Sequence, residues 1–255
     1  MPKIEKLHNS LKTILMDSDH NTQDVDNVVI TALLAAHDNW KMLDAKKNAW
    51  PISESAVIAL LRATELKDPS LIHHSVRVAK YAALMAGWLS LSPEEARDMV
   101  LVSLLHDVGK MGVPDEILKH PGTLELKEFE YMKRHAKLSG ELLSSVTDHA
   151  PLIDGVTHHH ERVDGFGYPD GLSGADISLH ARVCLIVDSF DAMTSNRPYR
   201  VALPINETLL ELKRNAGHQF DKDLAHLFIS QITEVIQGIE AELGIDVLPK
   251  IQTAA

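Results

Sequence analysis

Leu104-Leu105-His106-Asp107-Val108-Gly109-Lys110 sets an imidazole and a carboxylate side by side where an apolar helical pattern stops. Upstream, Ser92-Pro93-Glu94-Glu95 has the spacing of a capping box ahead of Met99, Val100, Val102, Leu104 and Leu105. A helix is therefore expected from there to near Asp107, before Gly109, Gly112 and Pro114. An unpartnered charge beside so apolar a run is costly. A metal ion would satisfy both side chains, and so would a structural histidine with a capping aspartate; the pair by itself supports the two readings equally.

Helical patterns continue on both sides. Ser53 suits an N-cap for a helix to about Leu66, and Asp68-Pro69 supplies a cap and a first-turn proline for one to about Leu89. Further helices are expected at about 125–145, 150–160, 179–195, 205–215 and 222–242. Between about 161 and 178, Gly165, Gly167, Pro169, Gly171 and Gly174 predict an ordered, turn-rich loop of the kind that often carries function. At the N-terminus, Ile4, Leu7, Leu11, Ile14 and Leu15 recur at helical spacing, and a second pattern from Val25 to Met42 is closed by Trp50-Pro51. The expected organisation is a helical appendage or linker at 1–52, a main domain at 53–242 and a tail at 243–255. The appendage has three open roles: transmitting a signal, building a dimer, or completing the bundle.

Composition agrees with an all-α fold. The 255 residues are 45% apolar, 24% charged and only 5% aromatic, which excludes disorder and collagen-like repeats and disfavours a sandwich of short strands. A formal charge of -11 argues against a protein that coats a nucleic acid polymer, while a small anion held by local cations or metals stays compatible. The single cysteine, Cys184, allows no intrachain disulfide and no thiolate cluster, which fits a reducing cytoplasm. The start Met1-Pro2-Lys3-Ile4-Glu5-Lys6 lacks a signal-peptide core, and no run of roughly 18 apolar residues occurs, so a soluble chain off the membrane is expected.

Histidine is over-represented: fifteen, against five Phe and three Trp, many of them between residues 73 and 160. His74 lies within the helix opened by Pro69, His135 follows Tyr131-Met132-Lys133-Arg134, His158-His159-His160-Glu161 closes another helix, and Asp188 follows the apolar run Cys184-Leu185-Ile186-Val187. Imidazoles and carboxylates converging from several helices without thiols suit iron, manganese, nickel or zinc, and an aspartate can bridge two such ions. For His73, His120, His149, His158, His180, His218 and His226 a surface or supporting role is expected.

Taken in order, Asp68-Pro69, His74-Ser75, Arg77-Val78-Ala79, His106-Asp107-Val108-Gly109-Lys110, His159-His160-Glu161-Arg162-Val163-Asp164-Gly165-Phe166-Gly167-Tyr168-Pro169, Asp188-Ser189-Phe190-Asp191-Ala192-Met193-Thr194 and Arg197-Pro198-Tyr199-Arg200 span roughly residues 66 to 232. This series resembles the HD-GYP family, a branch of the HD superfamily of metal-dependent phosphohydrolases. The resemblance implies an all-α HD-superfamily bundle with a glycine-rich GYP loop, and a cytoplasmic bacterial phosphodiesterase that hydrolyses cyclic di-GMP through a metal-bridging hydroxide to linear pGpG, with further cleavage to GMP left open. A mixed guanine-adenine cyclic dinucleotide is the alternative substrate, and a sensor or interaction module with weak turnover is the alternative class. A homodimer or a signalling protein is the partner to be looked for.

Carried over by the resemblance, the metal ligands are His74, His106, Asp107, His135, His159, His160 and Asp188, with Asp107 as the bridging carboxylate. Lys110 would face the scissile phosphate, as a charge stabiliser or as a proton donor to the leaving oxygen. Tyr168, Arg197 and Arg200 would hold the ligand, with Asp68 as a ligand-contacting or supporting carboxylate. Each has a plainer reading: Gly165–Pro169 as a rigid turn, and Arg197 and Arg200 as surface cations or salt-bridge partners of Asp188 and Asp191. Glu161, Arg162 and Asp164 are expected to brace the loop. Ser70 stands where some trinuclear members carry a glutamate, so a dinuclear centre is expected, with iron or manganese as the ion. His120-Pro121-Gly122 stands where Lys-Pro-Gly is more usual.

Overall fold

The computed structural model describes residues 50–196 and 201–243. The expected appendage up to residue 49 and the tail beyond 243 lie outside the described residues. Among those described there are nine α-helices and two short 3-10 turns, with no β-strand.

The capping residues start the helices as their chemistry dictates. Helix α1 (Glu54–Lys67) begins at Ser53, whose hydroxyl accepts the Ala56 N–H at 3.2 Å. Asp68 ends α1 and starts α2 (Pro69–Trp88), its carboxylate accepting the Ser70 N–H at 2.8 Å while Pro69 fills the first turn. Helix α3 (Pro93–Leu105) carries the full capping box, Ser92 and Glu95 each satisfying the other's backbone N–H. A 3-10 turn (Val108–Gly112) and the short α4 (Asp115–Leu118) lead to α5 (Leu126–Ser144), α6 (Ala150–Thr157), α7 (Leu179–Thr194), α8 (Ile205–Arg214) and α9 (Lys222–Leu243).

Four of these elements differ from the sequence expectation. Neither α4 nor the 3-10 turns were expected, and α6 stops at Thr157 rather than near residue 160. The His158 N–H closes the last turn on the Asp154 carbonyl, and the Glu161 N–H turns back to the His158 carbonyl. The physical gain is directional. Consecutive helical residues point about 100° apart, whereas a turn lets His159 and His160 face the same region.

The apolar residues form two clusters that meet along α2 and α7. One packs Val78, Tyr81, Ala82 and Met85 of α2 against Val183, Ile186, Val187 and Phe190 of α7 and Phe228, Ile232 and Ile236 of α9. Its centre is an edge-to-face trio, Tyr81–Phe190 at 5.2 Å and Phe190–Phe228 at 5.1 Å between ring centroids. The other cluster packs Val57 and Leu61 of α1 and Ile72, Val76 and Ala79 of α2 on Val100–Val102, Leu104 and Leu105 of α3, with Cys184 from α7. Residues 97–105 of α3 are all buried, so this helix reads in sequence as a run rather than a stripe. Each fully buried Leu, Ile or Phe contributes about 1.5–3 kcal/mol of transfer free energy, and this apolar scaffold fixes where the polar residues of α2, α5 and α7 and the end of α3 converge.

Candidate metal centre

The turn after α3 is clamped to α5 by backbone proximity. Gly109 has no room for a side chain: a Cβ there would fall on the His135 carbonyl and the Ser139 amide of α5. Ser139 completes the clamp, its hydroxyl donating to the His106 carbonyl and accepting the Gly109 N–H, both at 2.7 Å. This close approach brings His135 beside Asp107.

Three imidazoles are oriented alike. Nδ1 of His106 lies 2.7 Å from the Ser103 carbonyl, Nδ1 of His135 lies 2.7 Å from the Met132 carbonyl, and Nδ1 of His159 lies 2.6 Å from the Val156 carbonyl. A carbonyl accepts only, so each Nδ1 carries the proton and each Nε2 is the free end aimed inward. His135 Nε2 and His159 Nε2 sit 3.3 Å apart. Two neutral imidazoles so placed oppose lone pair to lone pair unless a cation lies between them. His106 Nε2 and Asp107 Oδ1 are buried without a hydrogen-bond partner, the signature of groups built to coordinate something else.

The donors sort into two lobes with Asp107 between them. His74, His106 and Asp188 form one group, His135, His159 and His160 another, and the ligand atoms within each lie within 4.8 Å of one another; His106, Asp107 and His159 join the two. Asp107 Oδ1 is 3.3 Å from His135 Nε2, while Oδ2 is 3.2 Å from His106 Nε2 and 3.8 Å from His74 Nε2. One carboxylate thus turns an oxygen toward each lobe. All seven expected metal ligands are gathered here, drawn from α2, α3 and the turn after it, α5, the turn after α6, and α7.

The electrostatics suit cations. Burial alone would push the Asp107 carboxyl up, but the neighbouring His106 and Lys110 hold it well below the usual carboxylate range. Asp188 is likewise held low, burial being outweighed by His74 at 3.0 Å. Burial and the His135 imidazole push His160 down to about 3, and burial with its neighbouring imidazoles holds His159 well below 6.5. The ionised Asp107 and Asp188 carboxylates and the neutral His159 and His160 rings are in the protonation states a transition metal requires, and an all-N/O donor set without thiolate suits iron, manganese, nickel or zinc. The residues fit a metal centre.

Asp191 is the functional residue that sequence reasoning undervalued. Its carboxylate accepts from His74 Nδ1 at 2.8 Å and from Arg77 Nε and Nη2 at 2.7 and 2.9 Å, so it fixes the ring that presents Nε2 to Asp188. The signal was available: Arg77 lies three residues after His74 and Asp191 three after Asp188, so each pair shares a helix face. Ser139 left no such signal.

The remaining expected residues are placed as follows. Lys110 Nζ is 2.5 Å from Asp107 Oδ2 at the edge of the cluster. Tyr168 tilts over the His160 ring, centroids 4.8 Å apart, and burial raises its hydroxyl pKa. Asp68 is occupied as the cap between α1 and α2. Arg197 and Arg200 lie outside the described residues. The loop is braced by Glu161, whose buried carboxylate accepts the Asp170 and Gly171 N–H groups at 2.7 and 3.0 Å, and by Arg162 paired with Asp164. Gly167 crosses the Glu161 backbone too closely for any Cβ.

A family model described as HD domain matches residues 59–224. The chain belongs to the HD domain family. Among curated proteins, this HD-domain chain is 40% identical over 164 residues to the cyclic di-GMP phosphodiesterase response regulator RpfG of Xanthomonas campestris, covering 64% of this chain and 43% of that one. It is 36% identical to 3'3'-cGAMP-specific phosphodiesterase 3 of Vibrio cholerae, covering 67% and 37% respectively. The chain therefore spans about two fifths of the length of these relatives. Among solved structures, an HD-GYP-type protein of Bdellovibrio bacteriovorus superposes with a TM-score of 0.57 at 16% identity, covering 89% of this chain and 69% of that one. That likeness supports the all-α HD fold. No described helix is long and apolar enough to cross a membrane.

Proposed function

We propose that this chain is a metal-dependent phosphodiesterase that hydrolyses cyclic di-GMP to linear pGpG and on to GMP. The observation that carries the reading is Asp107, whose two oxygens face two separate ligand groups. His74, His106 and Asp188 would hold one ion, His135, His159 and His160 the other, and iron or manganese is the choice the donor set favours. When bound, such a pair supplies charge neutralisation at the phosphoryl oxygens and a nucleophile from water at neutral pH.

The protein's own residues do the rest. Asp191 keeps the His74 ring in register, and Lys110, beside Asp107, is placed to meet charge developing on the phosphate or to protonate the leaving oxygen. Tyr168 caps the half-buried His160 and shapes the substrate side of the centre. Arg197 and Arg200 are proposed to hold the dinucleotide, residues 53–242 to form the catalytic domain, and the whole to work in the cytoplasm. A mixed guanine-adenine dinucleotide is a second reading, favoured by the 36% identity to a 3'3'-cGAMP-specific phosphodiesterase.

The test is metal analysis of the purified chain together with chromatography of the products formed from each cyclic dinucleotide. About two ions per chain and a linear product from cyclic di-GMP are expected. Full hydrolysis by metal-stripped protein would overturn the metal reading, and binding without product would return a sensor.

A further inference from the structure

Helix α5 offers more than His135 to the centre. Phe129 and Lys133 are spaced i, i+4 and so share a face of this helix, with Lys133 two residues before the buried His135. The Lys133 ammonium lies 5.0 Å from the centroid of the Phe129 ring and 5.6 Å from that of Tyr168, which itself tilts over His160. His160, Tyr168, Lys133 and Phe129 thus form a line of rings and one cation, each step about 5 Å, running from the buried ligand cluster outward. Phe129 at its outer end is 43% exposed.

The plain alternative is a surface ion pair, since Lys133 also lies 2.7 Å from Glu130. An ammonium has three donors, however, and that pair uses one. The Lys133 side chain is only 29% exposed, half the value for Glu130, because the two rings flank it. An isolated exposed ring needs no explanation, but this one ends a row that begins at the metal ligands.

We propose that Phe129 and Lys133 form a base-recognition wall beside the metal centre: a purine of the substrate stacks on the Phe129 ring, and Lys133 meets its O6/N7 edge. The proposal rests on the cyclic-dinucleotide reading and adds the residues that would tell one base from another. Any purine offers a π face to Phe129. At the major-groove edge guanine presents two acceptors, O6 and N7, whereas adenine replaces O6 with an amino donor, so a lysine there favours guanine.

The experiment measures binding rather than turnover, by calorimetry on the metal-loaded 255-residue chain with GMP, AMP and inorganic phosphate as probes. Phe129→Ala should weaken GMP about 10-fold or more while leaving phosphate affinity and metal content unchanged, and Phe129→Trp should restore GMP binding where Phe129→Leu does not. Lys133→Gln should erase a wild-type preference for GMP over AMP. Unchanged GMP affinity in Phe129→Ala, or parallel loss of GMP and phosphate, overturns the wall. Failure of the wild type to hydrolyse any cyclic dinucleotide, with the GMP results as expected, would instead overturn only the catalytic reading.

Discussion

At the scale of single residues, the two lobes differ in how they compete with protons. In the metal-free chain His74 is raised to about 9: burial works against the charge, but Asp188 and Asp191 on either side of the ring outweigh it. His160 is lowered to about 3. A metal entering beside His74 must therefore displace a proton at neutral pH, and its affinity rises as pH climbs toward 9. The His135, His159 and His160 lobe meets no such competition from His160 until far into acid. Calorimetry at pH 7.5 in buffers of different ionisation enthalpy should show about one proton released per chain on filling the first lobe. Asp107→Ala should lose metal and turnover together. Asp191→Asn, which keeps the ligands and weakens the group orienting one of them, should cost about 10–100-fold in metal affinity by dialysis competition. Lys110→Ala should keep its metal and lower the single-turnover rate more than substrate affinity, because a charge stabiliser or proton donor matters most as the P–O bond breaks.

At the scale of elements, the decisive contact is the turn after α3 against α5. Gly109 and Ser139 let the two backbones touch, and His106, Asp107 and His135 become neighbours because of it. Gly109→Ala should destabilise the chain by about 1–3 kcal/mol or more through overpacking, read as a shift in denaturant midpoint, and should also loosen metal binding. Ser139→Ala leaves space but strands a buried N–H, a cost of about 1–3 kcal/mol in the same measurement. Equal stability of both variants with wild type would mean that the clamp is not what sets the spacing. The capping residues illustrate the opposite case: Ser53, Asp68 and Ser92 act within a few residues of themselves, so the starts of α1, α2 and α3 were legible before any packing was known.

At the scale of the whole molecule, the centre is tied to the fold by ligands from five separate stretches of chain, so metal and folding are coupled. Loading metal to about 100 times its Kd should add about 2.7 kcal/mol and raise the melting temperature by roughly 5–10 °C, reversed by a chelator. The sequence by itself determined where the long helices start, and the resemblance carried by its motifs named the seven candidate donors, because caps, apolar periodicity and the His-Asp motifs are local patterns. Only the tertiary structure decided that Asp107 faces two groups and that Asp191 holds His74. Those outcomes depend on distances between residues 28 to 117 positions apart, set by how buried helices close on one another, and no local pattern carries that information.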